Sequence, residues 1–166
     1  RYKQEIIDEI PEVDAILGTT SYEEIGNVLT RLFGEEKEKK EEHISCFHDL
    51  KELPETAKKR VMTTGGHYAF LKIAEGCDKR CSYCIIPFAR GRVRSRSRED
   101  VVREITGLVA QGYREAVLTG IHLSSYGIEH MEGNPVSQGD WNHRELLALI
   151  REVHEISGLE RIRLGS

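Results

Sequence analysis

The stretch of sequence that decides the fold is residues 68–84, YAFLKIAEGCDKRCSYC. Its first part, residues 68–74, is short and apolar and predicts a buried strand. Its second part is a loop in which Cys77, Cys81 and Cys84 fall within eight residues. These three residues are called the cysteine triplet below. Because the triplet directly follows the strand, it is expected at the carboxyl end of a sheet, where barrel active sites lie.

Downstream of the triplet, helix and strand patterns alternate. Ser97-x-x-Asp100 predicts a capped helix start, and Asn142 predicts a second one. Strands are predicted over Glu115–Thr119 and over residues 161–164. This order predicts parallel strands joined by right-handed crossover helices. A complete eightfold barrel needs about 250 residues. The predicted fold class is therefore α/β, with a partial (β/α) barrel of about two and a half β–α units.

The amino-terminal part of the chain predicts a smaller α/β piece. Ser21-x-x-Glu24 has the spacing of a capping box at a helix start. Residues 1–34 are accordingly interpreted as the carboxyl-terminal end of a small α/β domain. Residues 35–66 begin with a charged run that has nothing to bury and are interpreted as a connection. Residues 67–166 are interpreted as the first part of the barrel domain.

Composition places the chain among ordinary globular proteins. It has 166 residues, 39% of them hydrophobic, and a formal charge of −4 from 24 Lys and Arg against 28 Asp and Glu. No apolar run approaches the roughly 20 residues of a membrane helix, so we expect a cytoplasmic protein without a membrane partner. The chain lacks an initiator Met and ends in a predicted strand. We therefore expect it to be a fragment of a longer protein.

The cysteine spacing favours an iron–sulfur site. Secreted disulfide frameworks spread an even set of cysteines, whereas here a triplet is accompanied by the remote Cys46. Three clustered thiolates can hold three irons of a 4Fe–4S cluster and leave the fourth iron open. A structural zinc site is the alternative, and it needs a fourth ligand such as Cys46, His67 or His122.

An arginine run follows the triplet. In an extended segment, strict alternation places every guanidinium on one face. Guanidinium groups suit phosphate oxygens, so the run predicts an RNA-contacting surface. The alternatives are a solvated loop or ion pairs with acidic residues. The residues assigned to the RNA-contacting surface are Arg90, Arg92, Arg94 and Arg96, with Arg98 continuing the alternation.

The triplet carries a resemblance to a known family. Cys77-x-x-x-Cys81-x-Tyr83-Cys84 after a strand resembles the radical S-adenosylmethionine (SAM) superfamily. The residues Ile86-Pro87, Arg90-Gly91 and the RSR of residues 94–96 resemble its methylthiotransferase branch. Residues 118–122, LTGIH, followed by Tyr126-Gly127, are most similar to the type that acts on threonylcarbamoyladenosine in tRNA, the MtaB type.

The resemblance implies a cofactor site. It implies that the triplet binds a 4Fe–4S cluster whose open iron receives SAM, which is cleaved to a 5′-deoxyadenosyl radical. It identifies no catalytic side chain. Ser166 is expected near the ribose. The other implied cofactor contacts lie beside the last cysteine and at the end of the second strand: Tyr83, Thr119, Gly120, Ile121 and His122.

The implied activity is methylthiolation at C2 of N6-threonylcarbamoyladenosine next to the tRNA anticodon. The expected partners are the anticodon stem-loop and an electron-donor protein. The alternatives are a methylthiotransferase for isopentenyladenosine in tRNA or for a ribosomal-protein aspartate, and a non-catalytic, zinc-stabilised RNA-binding module. The family uses a second 4Fe–4S cluster held by three amino-terminal cysteines. Only Cys46 lies outside the triplet, so that cluster is expected only in a full-length protein, and this chain is not expected to be fully active.

Overall fold

The computed structural model describes the following residues: 2–34, 43–51, 62, 66–130 and 144–165. The charged run 35–42, the predicted cap Asn142 and Ser166 lie outside them. The chain divides into two compact units, Arg1–Thr56 and Ala57–Ser166. The division falls within the predicted connection 35–66, and the assignment of three segments remains a prediction.

The first unit pairs helices with short parallel strands. Strand β1 lies parallel to β2, with Ile16 opposite Ser45. Helix α2 buries Val28, which is 3% exposed. The elements are α1 (Lys3–Glu9), β1 (Ala15–Leu17), α2 (Ile25–Phe33) and β2 (Ile44–Cys46).

Ser21 does not form the predicted capping box. A 3₁₀ turn, Tyr22–Glu24, precedes α2, and within it the Glu24 N–H donates to the Ser21 carbonyl at 3.0 Å. The Ser21 carbonyl therefore accepts the Glu24 N–H that the Ser21 hydroxyl was expected to accept. The buried Ser21 Oγ instead accepts the His48 N–H at 2.8 Å. The capping-box prediction is wrong, because the hydroxyl fastens the segment after β2 rather than a helix start.

The second unit carries the barrel-like part of the chain. Its sheet has the strand order β3-β6-β7, and both pairings are parallel. This confirms the predicted α/β fold class with parallel strands. The elements are β3 (Tyr68–Lys72), β4 (Ala74–Glu75), α3 (Ile86–Ala89), β5 (Arg94–Ser95), α4 (Arg98–Ala110), β6 (Glu115–Thr119), α5 (Arg144–His154) and β7 (Arg161–Gly165).

The strand predicted over residues 68–74 changes partners at Ile73. The Ile73 N–H donates to Thr119 O on β6 at 2.9 Å, whereas its carbonyl accepts the Arg96 N–H at 2.9 Å. Beyond this residue the chain continues as β4, which pairs antiparallel with β5. The predicted strand is therefore two elements, because its last residues bond to the returning hairpin and not to the parallel sheet.

Helices α4 and α5 cover one face of the β3-β6-β7 sheet. Leu71, Leu118 and Leu149 are at most 1% exposed and belong to one buried cluster. Helix α4 begins at the predicted cap, where Ser97 Oγ accepts the Asp100 N–H at 3.2 Å. No helix among the described residues is long and apolar enough to cross a membrane.

A buried carboxylate lies at the amino end of this sheet. Glu115 is 4% exposed and ion-paired with Arg161 at 3.1 Å and Arg163 at 2.5 Å. Both arginines come from β7, the neighbouring strand. The ion pairs therefore join β6 to β7 at the end of the sheet remote from the triplet.

Leu118→Ala is expected to lower the free energy of unfolding by about 2–5 kcal/mol, because it empties a fully buried site between sheet and helices. Urea denaturation followed by circular dichroism measures the change. Leu164→Ala is the matched control, since Leu164 pairs with Leu118 in register but is 53% exposed. It should cost about 0.5 kcal/mol. Equal costs for the two variants would contradict the described core.

Candidate cofactor site

The cysteine loop begins at a glycine that cannot be replaced without strain. Gly76 has φ +75°, and a Cβ there would lie 1.9 Å from the Arg92 carbonyl oxygen. The adjacent Cys77 N–H donates to Gly91 O at 3.1 Å. The backbone at the start of the loop therefore packs directly against the backbone of residues 91–92, where the chain returns toward the sheet.

The cysteine triplet lies on this loop as free thiols. Cys77 is buried, Cys84 is half-buried and Cys81 is exposed. A turn brings the Cys84 N–H to Cys81 O at 3.0 Å. Among the described side chains, however, no three His, Cys, Asp or Glu groups are arranged to hold one metal ion. The structure thus brings the triplet onto one loop, with the three thiols not arranged around a single metal ion.

The donor set nevertheless fits an iron–sulfur cluster better than a zinc ion. Three thiols match the thiolate ligation of such clusters. A zinc site needs a fourth protein ligand, and His67 precedes β3 at the end of the strand opposite the triplet. That separation is roughly 16 Å along a five-residue strand. His122 lies within hydrogen-bond distance of Ser125 Oγ at 2.7 Å.

The end of β6 lies beside the start of the cysteine loop. Thr119 Oγ1 donates to Leu71 O at 3.2 Å, which ties the ends of β3 and β6 together. A Cβ on Gly120 would lie 3.5 Å from Ala74 O on β4. Ile121 and His122 follow in the same loop and are half-buried. The structure therefore brings Thr119 and Gly120 next to the strand that leads into the triplet.

Tyr83 and His122 differ in how firmly they are held. Tyr83, the aromatic residue within the triplet, is 92% exposed. His122 has Ser125 Oγ and Ser124 Oγ within 2.7 and 3.2 Å of its Nδ1. These contacts place the His122 ring among the hydroxyl groups of its own turn.

The arginine run does not form the predicted single exposed face. Arg94 and Arg96 are 9% and 7% exposed. Arg96 pairs with Asp100 at 2.8 Å and with Glu104 at 2.7 Å, whereas Arg94 donates to Arg90 O at 2.9 Å. The expectation is wrong because only Arg94–Ser95 of the run forms a strand, paired with β4, and the chain enters α4 at Arg98. Neither buried guanidinium is open to a nucleic acid.

The remaining members of the run are also paired. Arg92 is 90% exposed and contacts Asp78 at 3.3 Å. Its pKa is raised by the hydrogen bond to Asp78 and by that carboxylate's charge. Arg90 lies 3.9 Å from Glu75, which also binds Lys72. Of the predicted RNA-contacting residues, only Arg90 and Arg92 keep substantial exposure.

Sequence reasoning gave no role to Glu75. Its side chain is 7% exposed; Oε1 accepts a hydrogen bond from Lys72 Nζ and lies 3.9 Å from Arg90 Nη1. Its Oε2 is buried without a hydrogen-bond partner among the described residues. Such an orphan acceptor beside a glycine cradle is consistent with a site prepared for a further group. The sequence signal was an acid directly before Gly76 and the triplet.

Comparisons with known proteins agree with this geometry. Residues 71–166 match the family model described as the Radical SAM superfamily. The chain is 38% identical over 165 residues to a ribosomal protein uS12 methylthiotransferase RimO of Acetivibrio thermocellus, covering 99% of the chain and 34% of that protein. The RimO of Lachnoclostridium phytofermentans is 42% identical over 164 residues, with coverage of 99% and 34%.

The RimO of Thermoanaerobacter sp. is 37% identical over 164 residues, again covering 99% of the chain and 34% of that protein. The chain thus spans about a third of the length of the curated relatives it matches. These relatives are named for a ribosomal protein and not for tRNA, so they do not support the MtaB type. Radical SAM enzymes use a 4Fe–4S cluster and SAM, which the thiol set fits. The family match and the triplet after a parallel strand together show that this chain belongs to the radical SAM superfamily.

Proposed function

We propose that this chain is the cofactor-cleaving part of a radical SAM methylthiotransferase whose acceptor is ribosomal protein uS12. The observation that carries the proposal is the cysteine triplet on a loop at the carboxyl end of β3, beside the end of β6. Relatives named for this activity match 99% of the chain. The second cluster needed for methylthio transfer belongs to the proposal for the longer protein.

The residue roles that we propose are those that the family resemblance implies. Cys77, Cys81 and Cys84 would hold the cluster, and Thr119–Ile121 would contact the methionine part of SAM. With the cofactors bound, the site would supply the one-electron reduction that cleaves the SAM sulfonium, using an electron from the donor protein. Gly76 allows the close approach of the loop to Arg92, and Thr119 ties the two strand ends together. Tyr83 is exposed and free to cover an adenine ring.

The contacts of the arginine run and the names of the relatives favour a protein, and not RNA, as the acceptor of the methylthio group. Burial of Arg94 and Arg96 removes half of the predicted phosphate-binding set. The remaining pair, Arg90 and Arg92, already contacts Glu75 and Asp78. The relatives' names support ribosomal protein uS12, and an aspartate of that protein is the acceptor we infer. An electron-donor protein and a cytoplasmic location are part of the proposal, because clustered thiolates require a reducing compartment.

If the triplet holds the cluster, replacing a cysteine of the triplet should have a different effect from replacing Cys46. After anaerobic reconstitution, the chain is expected to bind about four iron and four sulfide ions. It should form 5′-deoxyadenosine from SAM when reduced. Cys81→Ala should abolish both, because it removes one of three iron ligands. Cys46→Ala is the matched control and should retain both. Stoichiometric zinc without SAM cleavage would support the RNA-binding module instead.

Gly76→Ala is expected to remove most of the bound iron, because the new Cβ would lie 1.9 Å from Arg92 O and displace the loop start. Iron and sulfide analysis after reconstitution measures this. Gly107→Ala, in α4, is the control, since nothing lies within 4 Å of its Cβ position. It should retain the cluster and gain roughly 0.5–1 kcal/mol of stability. Full cluster binding by Gly76→Ala would show that the close approach is not required.

The acceptor assignment is tested in cells. Deletion of the gene whose product contains this chain should remove the methylthio group from uS12, as measured by mass spectrometry of ribosomal proteins. Methylthiolated adenosines in tRNA should remain, as measured by nucleoside analysis. Restoring the gene with Cys81→Ala should fail to recover the modification. Loss from tRNA with unchanged uS12 would overturn the proposed acceptor and favour the tRNA assignment.

A further inference from the structure

A polar network joins β5 to the turns that follow β6. The Glu129 carboxylate accepts the Ser95 N–H and, at 3.2 Å, the Ser95 hydroxyl. Ser95 Oγ in turn accepts the Gly127 N–H at 2.8 Å. Tyr126 donates its hydroxyl proton to Arg96 O at 2.6 Å. These four contacts are called the latch below, and they join residues 30 to 34 positions apart in sequence.

Ser95 and Tyr126 form the buried part of the latch, whereas Glu129 is an exposed residue that reaches Ser95 with its carboxylate. Ser95 and Tyr126 are each 4% exposed. Burial raises the pKa of Tyr126, so the phenol stays protonated and donates at neutral pH. Glu129 accepts two hydrogen bonds from one residue, which fixes direction as well as distance. Gly127, at φ +78°, leaves no room for a Cβ against the Glu145 side chain. These contacts and the lack of space at Gly127 restrict how β5 can lie against the turns after β6.

The two sides of the latch lead directly to the two halves of the cofactor site. On one side, Ser95 pairs with Ala74 on β4, and β4 runs through Glu75 into Gly76 and Cys77. On the other side, the latch residues follow closely after Thr119, Gly120 and Ile121. A change in the latch would therefore shift the cysteine loop relative to the end of β6.

We propose that Ser95 and Glu129 are positioning residues that set the spacing between the cysteine loop and the end of β6 for SAM binding. The inference rests on the proposed function. Neither side chain needs to touch the cofactor, because both act through the segments that they join. SAM would contact both halves of the site at once, so a displacement between them costs affinity even where each half stays folded.

The test uses the full chain, reconstituted anaerobically, with Ser95→Ala, Glu129→Ala and the double variant. Iron and sulfide content should match the unmodified chain, because the triplet itself is unchanged. The dissociation constant for SAM, measured by equilibrium dialysis, should rise about tenfold in each single variant. The double variant should lose less than the roughly hundredfold that two independent tenfold losses would give, because both substitutions remove the hydrogen bond between the Ser95 hydroxyl and Glu129. The shift that SAM induces in the electron paramagnetic resonance spectrum of the reduced cluster should weaken in parallel.

Ser97→Ala is the matched control. It removes the helix cap of α4, a structural hydroxyl two residues from Ser95, and should lower the thermal midpoint without changing SAM affinity. Glu129→Gln keeps an oxygen for the Ser95 N–H and should lose less affinity than Glu129→Ala. Unchanged SAM affinity in the latch variants, or an equal loss in Ser97→Ala, would overturn the inference. Absence of cluster and SAM binding in the unmodified chain would instead overturn the proposed function, and this inference with it.

Discussion

The close approach of Gly76 to the Arg92 carbonyl is the constraint on which the site depends. With φ at +75° and no space for a Cβ, the chain turns sharply out of β4 and back against its own returning segment. The Cys77 N–H then finds its acceptor on Gly91. The direction in which the loop leaves the strand is therefore set by the backbone, before any thiolate binds iron. Because β4 continues from β3, that direction places the triplet at the carboxyl end of the parallel strands.

The cysteine loop is held to the sheet by residues that bond to more than one neighbouring element. Ile73 bonds to β6 through its N–H and to the returning strand through its carbonyl. Arg96, in that returning segment, is buried and pairs with two acids of α4. Burying charged groups carries a large desolvation cost, which offsets the attraction between them. The network therefore fixes the position of Arg96 without necessarily raising the free energy of unfolding. Sheet, cysteine loop and first crossover helix thus share one set of contacts.

Local signals predicted the elements that depend on local chemistry. The bounds of β6, Glu115–Thr119, and the Ser97 cap agree with the sequence analysis, since strand patterning and capping need only neighbours in sequence. The predictions for Ser21 and the arginine run were wrong because partners that the spacing rules do not consider decided their geometry. His48 takes the Ser21 hydroxyl, and α4 together with β4 takes Arg96 and Arg94 out of solvent. The latch was not predicted, because no spacing rule connects Ser95 to Glu129.

The Glu115 ion pairs also determine how β7 aligns with β6. In the observed register, Arg161 lies opposite Glu115 and Ile162 opposite Ala116. A slip of one residue would place Ile162 beside the buried carboxylate and turn both arginines toward the helix layer. Arg161 and Arg163, at alternate positions of β7, thus favour the one alignment in which both reach Glu115. Charge, and not apolar patterning alone, selects how this strand joins the sheet.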